Sequence, residues 1–310
     1  MSSRSARFVI GLAGVLALGF PAQTDTAVLI AVADTTLVES SPSNNLGGAL
    51  IVNAGTTQNF TRNRGLFRFD LTSRVPQGSF ITNVDFVVEV TGEPKDGFTP
   101  SPFGLHRVLK SWGEGNKASP DPIHPGQGAP ATTGEATWND RFAFTTNAWT
   151  IPGAAATNDY VADLSAETIV YGIGDSPYTF FSTPELVADV QAWVDNPGTN
   201  FGWMVVCKSE DINFTARRFA SREDTGFEPY IVVEYTPPPG IDSITVTNGG
   251  LALDFTALAN QAYVVEIRDS FAPSSAWSAL TNFSAQPTTT NLEVFDSITN
   301  AQRFYRLRLP

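Results

Sequence analysis

RRFASREDTGFEPYIVVEY, Arg217 to Tyr235, contains the two signals that decide the fold. Three arginines and four acidic residues share the stretch with an apolar run, Tyr230 to Val233, rich in β-branched side chains. Gly226 and Pro229 stand before that run and Pro237 after it, so it reads as a strand bounded by breakers. The charges in front of it are a catalytic cluster, a ligand site or the charged end of a β-sandwich, and the rest of the chain has to separate these.

The same strand signal recurs upstream. TAVLIAVADTTLVES begins the pattern and SPSNNLGG interrupts it. Gly65–Leu71 (GLFRFDL) and Ile81–Thr91 (ITNVDFVVEVT) alternate apolar and polar residues, and Phe103, Leu105, Arg107 and Leu109 continue the period of two. FGWMVVC adds a further apolar strand. Many short strands separated by turn residues predict an all-β fold of sandwich type. One segment, Thr183–Gly198, departs from this pattern: Leu186, Val187, Val190, Trp193 and Val194 fall at helical spacing. Thr183 is placed to cap the helix, Pro184 to open it and NPG to close it. Trp193 lies on the apolar face of that helix and reads as core.

Two long loops, Gly113–Gly134 and Pro152–Tyr178, are rich in Pro, Gly and small residues. Loops of that length in a compact domain carry function or move. TPPPG, Thr236–Gly240, is a stiff linker. Beyond it the strand pattern starts again over residues 241–310, with a hairpin signal at Asn248–Gly250, and predicts a small second β-sandwich of fibronectin type. The expected organisation is a leader at 1–23, a large sandwich at 24–236, a linker at 237–240 and a small β-domain at 241–310.

The leader rests on Arg4 and Arg7 ahead of an apolar Phe8–Phe20 segment too short to span a bilayer, with small residues following around Pro21 and Ala22. It predicts export, with cleavage after Ala22 or Gln23. No later run is long and apolar enough for a membrane anchor. The chain of 310 residues is 42% hydrophobic, enough for a real core, and only 16% charged, below the usual quarter or so. A net charge of -12 argues against sequence-independent nucleic-acid binding, which needs an excess of Lys and Arg. It leaves room for a local basic patch that binds acidic sugars. The single cysteine, Cys207, has no disulfide partner and sits in an apolar strand, where it reads as a small buried hydrophobe.

Catalytic motifs are missing from the sequence: no GxSxG, HExxH or CxxC, no phosphate-binding glycine loop, and only two histidines, His106 and His124. A carboxylate-pair hydrolase needs only two acids, and Glu114, Glu135, Asp140 and Glu223 are candidates. Trp112, Trp138 and Trp149 cluster in sequence around the first long loop, and TWNDR sets Asn139, Asp140 and Arg141 beside Trp138. Aromatic rings that stack on the C–H face of a sugar, with amide, carboxylate and guanidinium groups for the hydroxyls, compose a carbohydrate site. Each tryptophan also reads as a core residue, with NDR as a turn. For a metal, Asp34 and Glu39 near the first strand and Glu223 and Asp224 before the last offer oxygen ligands. First and last strands of a jelly roll lie side by side, so Asp34, Glu223 and Asp224 are candidate ligands for a structural Ca²⁺.

Taken in order, ADTTLVESSPSNNLGGAL, RGLFRFDL, ITNVDFVVEV, LHRVLKSWGEG, ATWNDR, VADVQAWVDNPGTNFGWMV, RRFASRE and PYIVVEYT resemble the DNRLRE-domain family of secreted bacterial proteins. That family is similar to a group of carbohydrate-binding modules of polysaccharide-degrading enzymes. The resemblance covers about Val32–Thr236. RFASRE, Arg218–Glu223, stands where the family has its name motif. The resemblance implies a jelly-roll sandwich and polysaccharide binding, without a catalytic role. Arg68, inside the apolar LFRFDL, is expected to point inward and pair with Glu223.

Three functions remain open at this stage. The first is a secreted, non-catalytic polysaccharide-binding protein with a groove of Trp112, Trp138, Asn139, Asp140, Arg141 and Trp149. The second is a structural or adhesive spacer of the cell surface or matrix, and the third a hydrolase with a carboxylate pair. Exposed tryptophans on one face would favour the first, and buried ones would count against it.

Overall fold

In the computed structural model, which describes residues 24–247, 249–272, 274–297 and 302–310, the apolar run of the opening stretch is a strand, Tyr230–Thr236. The expected leader, 1–23, and Asn248 of the expected hairpin turn lie outside the described residues. Contacts divide the described chain into two units, 24–237 and 238–310.

The larger unit begins with β1 (Asp25–Val38), β2 (Asn44–Asn45), β3 (Ile51–Thr56), β4 (Arg62–Phe69), β5 (Phe80–Val88), β6 (Val90–Gly92) and β7 (Ser101–Arg107). Three short strands, β8 (Ala129–Pro130), β9 (Asp140–Phe142) and β10 (Asn147–Ala148), lie in the region of the long loops. β11 (Ala166–Val170), β12 (Tyr178–Phe180), the helix α1 (Pro184–Asp195), β13 (Trp203–Cys207), β14 (Arg217–Ala220) and β15 (Tyr230–Thr236) follow.

Two antiparallel sheets result, β1–β15–β5–β12 and β1–β4–β13–β7–β11. First and last strands are neighbours and most successive strands fall in opposite sheets, which is jelly-roll order. β1 serves both sheets. Asp25–Ile30 pairs with β15 and Ala31–Val38 with β4, with a slip in register between Ala31 and Ala33. An extra residue at such a bulge bends the strand and lets it change sheet. β14 pairs with β3 and β6 at the side of the sandwich.

Between the sheets lie Leu29 of β1, Phe67 and Phe69 of β4, Phe86 of β5, Phe103 of β7, Trp203 of β13 and Ile231 of β15. Phe86 is their hub. It meets Phe67 and Phe69 edge-on at 5.5 and 5.4 Å and stacks on Trp203 at 6.2 Å, geometries that aromatic quadrupoles favour. Cys207 is buried in the same core, and burial pushes its thiol pKa up.

α1 forms where the 3.6-residue period predicts it. The Thr183 hydroxyl accepts the Leu186 N–H at 3.0 Å and Pro184 opens the first turn. Leu186, Val190, Trp193 and Val194 are buried against the core. Gln191 ties the helix to the start of β5, accepting the Ile81 N–H at 2.9 Å and donating to the Ser79 carbonyl at 3.0 Å.

The smaller unit consists of β16 (Ser243–Thr247), β17 (Gly250–Ala257), β18 (Tyr263–Arg268), β19 (Ser278–Phe283), β20 (Thr290–Asp296) and β21 (Phe304–Arg308). Two three-stranded sheets, β16–β17–β20 and β19–β18–β21, enclose Leu253, Phe255, Tyr263, Val265 and Leu307. No helix among the described residues is long and apolar enough to cross a membrane.

Thr183→Ala removes the cap of α1 and is expected to cost about 1 kcal/mol. In urea unfolding the midpoint should fall while the slope stays unchanged.

Candidate functional site

The second sheet is apolar on both faces. Along β4, Phe67 and Phe69 enter the sandwich core, whereas Leu66 belongs to a second core on the outer face. That second core also takes Ala33 and Leu37 of β1 and Met204 and Val206 of β13. Its cover is the chain between Val108 and Tyr160, which supplies Trp112, Ala136, Trp138, Trp149 and Ala154.

The three tryptophans of the expected groove are therefore core residues. Trp112, Trp138 and Trp149 are 3%, 4% and 4% exposed, which leaves no ring face for a sugar. Trp112 Nε1 donates to the Phe201 carbonyl at 2.8 Å and Trp149 Nε1 to the Thr137 carbonyl at 2.9 Å. The Arg62 and Arg64 guanidinium groups lie over Trp138 at 5.5 and 5.8 Å. Gly153 has φ +85°, and a Cβ there would meet the Trp138 ring at 2.5 Å. Only glycine suits both the backbone and the approach.

TWNDR is a turn. Thr137 N–H donates to the Asp140 carbonyl at 2.8 Å, and the Thr137 hydroxyl accepts the N–H of Asn139 and of Asp140 at 3.2 and 3.0 Å. The Asn139 and Asp140 side chains are half-exposed. Arg141 is spent within the loop layer, donating to the carbonyls of Ser111 at 2.8 Å and Ala148 at 3.3 Å.

The charges of the opening stretch divide by position. Arg217 is buried, and among the described residues its guanidinium donates only to main-chain carbonyls. These include Thr99 at 3.0 Å, Thr215 at 3.1 Å and Ala216 at 2.9 Å. Burial lowers its pKa, against an opposing pull from the Glu93 carboxylate. Arg222 is exposed and ties three acids together. Its Nε donates to Glu114 Oε1 at 2.5 Å, its Nη2 lies 3.2 Å from Glu223 Oε1, and its backbone N–H donates to Asp34 Oδ2 at 2.7 Å.

Asp34 and Glu223 thus both contact Arg222, with Glu114 as a third acid that the sequence reading assigned elsewhere. Asp224 takes no part in these bonds, and Glu39 is paired with Arg62 instead. Burial pushes the Asp34 carboxyl well above its ordinary value, and the neighbouring Glu223 and Glu114 add to the rise. Burial likewise raises Glu223. Of the other acids considered, Glu135 accepts the Thr132 N–H at 2.6 Å and pairs with Lys117 at 3.2 Å. Among the described residues, no group of three or more Asp, Glu, His or Cys side chains converges as a complete metal-ligand set.

Arg68 does not pair with Glu223. Strand alternation sends it, with Arg64 and Leu66, to the loop-covered face of β4, and its guanidinium lies 5.5 Å over the Trp112 ring. It is half-buried, and its side chain makes no hydrogen bond or ion pair with any described residue. It borders a cleft of about 320 Å³ lined by Val32, Asp70, Leu71, Thr72, Trp193 and Asn200. A second cleft of about 230 Å³ shares Leu71, Thr72 and Trp193 and extends towards Val75 and Gln77. Trp193 Nε1 is buried without an acceptor. Sequence reasoning placed both Arg68 and Trp193 but assigned them to structural duties; the shared cleft needs the tertiary fold.

No family model matches the chain, and no curated protein matches it significantly.

Arg217→Ala leaves several buried carbonyls without a donor and is expected to destabilise the larger unit by about 3 kcal/mol or more in urea unfolding. The Asp34 carboxyl predicts a pH effect. Its ordinary value is 3.8 and its folded value lies well above, so the folded state holds a proton that the unfolded state has released. The stability tied to that proton is present below the ordinary value and is lost as pH rises towards the folded one. In EDTA-treated buffer, wild-type urea midpoints should fall between about pH 4 and about pH 7 by more than those of Asp34→Asn.

Proposed function

We propose that this protein is an exported, non-catalytic polysaccharide-binding protein whose sugar seat is the cleft beside Arg68 and Trp193. The observation that carries this reading is Arg68 itself, a half-buried guanidinium at a cleft with neither ion pair nor hydrogen bond to any described residue. An incompletely solvated cation gains strongly from a bound carboxylate or hydroxyl, and the planar fork suits a carboxylate in particular. Trp193 lines the cleft but is itself a core residue, 1% exposed. Val32 and Leu71 give the cleft apolar wall, which suits the C–H face of a sugar ring. The clefts approach the size usual for small-ligand sites. The resemblance to the DNRLRE-domain family supports the polysaccharide class, and the charged, apolar-cored N-terminal sequence supports export.

A second reading is a structural or adhesive spacer at the cell surface or in a matrix. It is favoured by the burial of all three loop tryptophans and by the use of Arg141 and Arg217 within the fold.

Pull-down on a panel of neutral and uronate-bearing polysaccharides separates the two. Wild type should bind a carboxylate-bearing polymer, and Arg68→Ala should weaken that binding about tenfold or more, the worth of a charged hydrogen bond. Arg218→Ala, on the exposed side of β14, should leave it unchanged. Binding that ignores Arg68→Ala overturns the cleft as the seat. No binding to any glycan by the folded protein supports the spacer.

A further inference from the structure

Where β1 passes the segment between β14 and β15, two carboxylate oxygens are buried without a donor. Asp34 is only 1% exposed. Its Oδ2 accepts the Arg222 backbone N–H, while its Oδ1 has no partner. Glu223 faces the same arginine through Oε1, and its Oε2 is likewise buried and unpartnered. Glu114 differs: Oε1 accepts the Asp34 N–H at 2.9 Å and Arg222 Nε at 2.5 Å, and Oε2 accepts Arg222 Nη2 at 3.2 Å. Its bonding is complete.

Two carboxylates, Glu114 and Glu223, meet the one guanidinium and a third, Asp34, meets only the backbone N–H of the same residue, so two negative charges are unmatched when all are ionised. Buried charge of that kind demands a counter-charge. A proton on one acid answers that acid alone. A cation between the two donorless oxygens answers both and leaves the Glu114–Arg222 pair intact.

We propose that Asp34 Oδ1 and Glu223 Oε2 bind a hard divalent cation of the Ca²⁺ class, which fastens the Ser221–Asp224 turn to β1. The donors are carboxylate oxygens with no thiolate or imidazole, a set that selects Ca²⁺ or Mg²⁺ over Zn²⁺ or Cu²⁺. With two carboxylates the affinity belongs at the weak, extracellular end, on the order of 10⁻⁴–10⁻³ M. The ligand pair is narrower than the sequence expected, because Asp224 is outside it. The site stands apart from the Arg68 cleft and does not depend on sugar binding.

The test is thermal unfolding and calorimetric titration of the EDTA-treated full-length mature protein with CaCl₂ and, separately, MgCl₂. Wild type should show a saturable rise in Tm and a binding isotherm with CaCl₂. Asp34→Asn and Glu223→Gln should each weaken the Ca²⁺ response about tenfold or more, while Asp224→Asn keeps it. Glu223→Gln alters the more exposed of the two acids and serves if Asp34→Asn does not fold. Absence of any wild-type response overturns the proposal, as does a response that survives both ligand substitutions. A shared proton in place of a metal would show as an Asp34→Asn protein more stable than wild type at neutral pH and indifferent to CaCl₂.

Discussion

Everything in the larger unit follows from a sheet that is apolar on both faces. β4 and β13 carry large hydrophobic side chains towards the opposing sheet, Phe67 and Trp203 among them, and also towards the outside, at Leu66 and Met204. Such a sheet must be covered twice. The first sheet covers one face, and the loops between Val108 and Tyr160 cover the other. Burying a tryptophan removes on the order of 200 Å² from water, so three of them give irregular chain a strong reason to hold one conformation. The N–H groups of Trp112 and Trp149 and the carbonyls they meet then fix where the loops run.

Much of this was legible in the sequence. The β-branched run at Tyr230–Val233, the alternation in Gly65–Leu71 and the capped helix at Pro184–Asp195 are local signals with local causes, and they gave the sandwich and its one helix. Asp34 lies in the half of β1 that pairs with β4 and meets the turn before β15 through the Arg222 backbone N–H. The tryptophans could not be read in the same way. A Gly- and Pro-rich loop bearing aromatics looks alike whether it presents its rings to a sugar or lays them on a sheet. The contact that separates the two, Trp112 to the Phe201 carbonyl, joins residues 89 apart. Arg68 shows a different limit. It was expected to point inward, but strand alternation puts it on the face opposite Phe67, and the partner assigned to it, Glu223, is engaged by Arg222, a residue of the opening stretch itself.

The opening question about the charges has a divided answer. Arg217 is a buried staple for main-chain carbonyls, and Arg222 clasps β1 and the Glu114 loop to the turn before the last strand. Both work as the charged end of a sandwich. What that clasp does not satisfy are the two acid oxygens beside it, and what the loop layer does not satisfy is Arg68. In a fold that pairs most of its buried polar groups, we propose these exceptions, more than the tryptophans, as the places where ligands bind.

The most direct measurement of this account is hydrogen exchange of the indole N–H groups, followed by NMR on protein labelled at tryptophan nitrogen. If the loops form a second core, Trp112 and Trp149 exchange slowly, with protection approaching that of Trp203 in the central core. Exchange of Trp112 and Trp149 near the rate of a free indole would mean that the layer opens readily and that their rings are available to a ligand, and the account of the second core would fail.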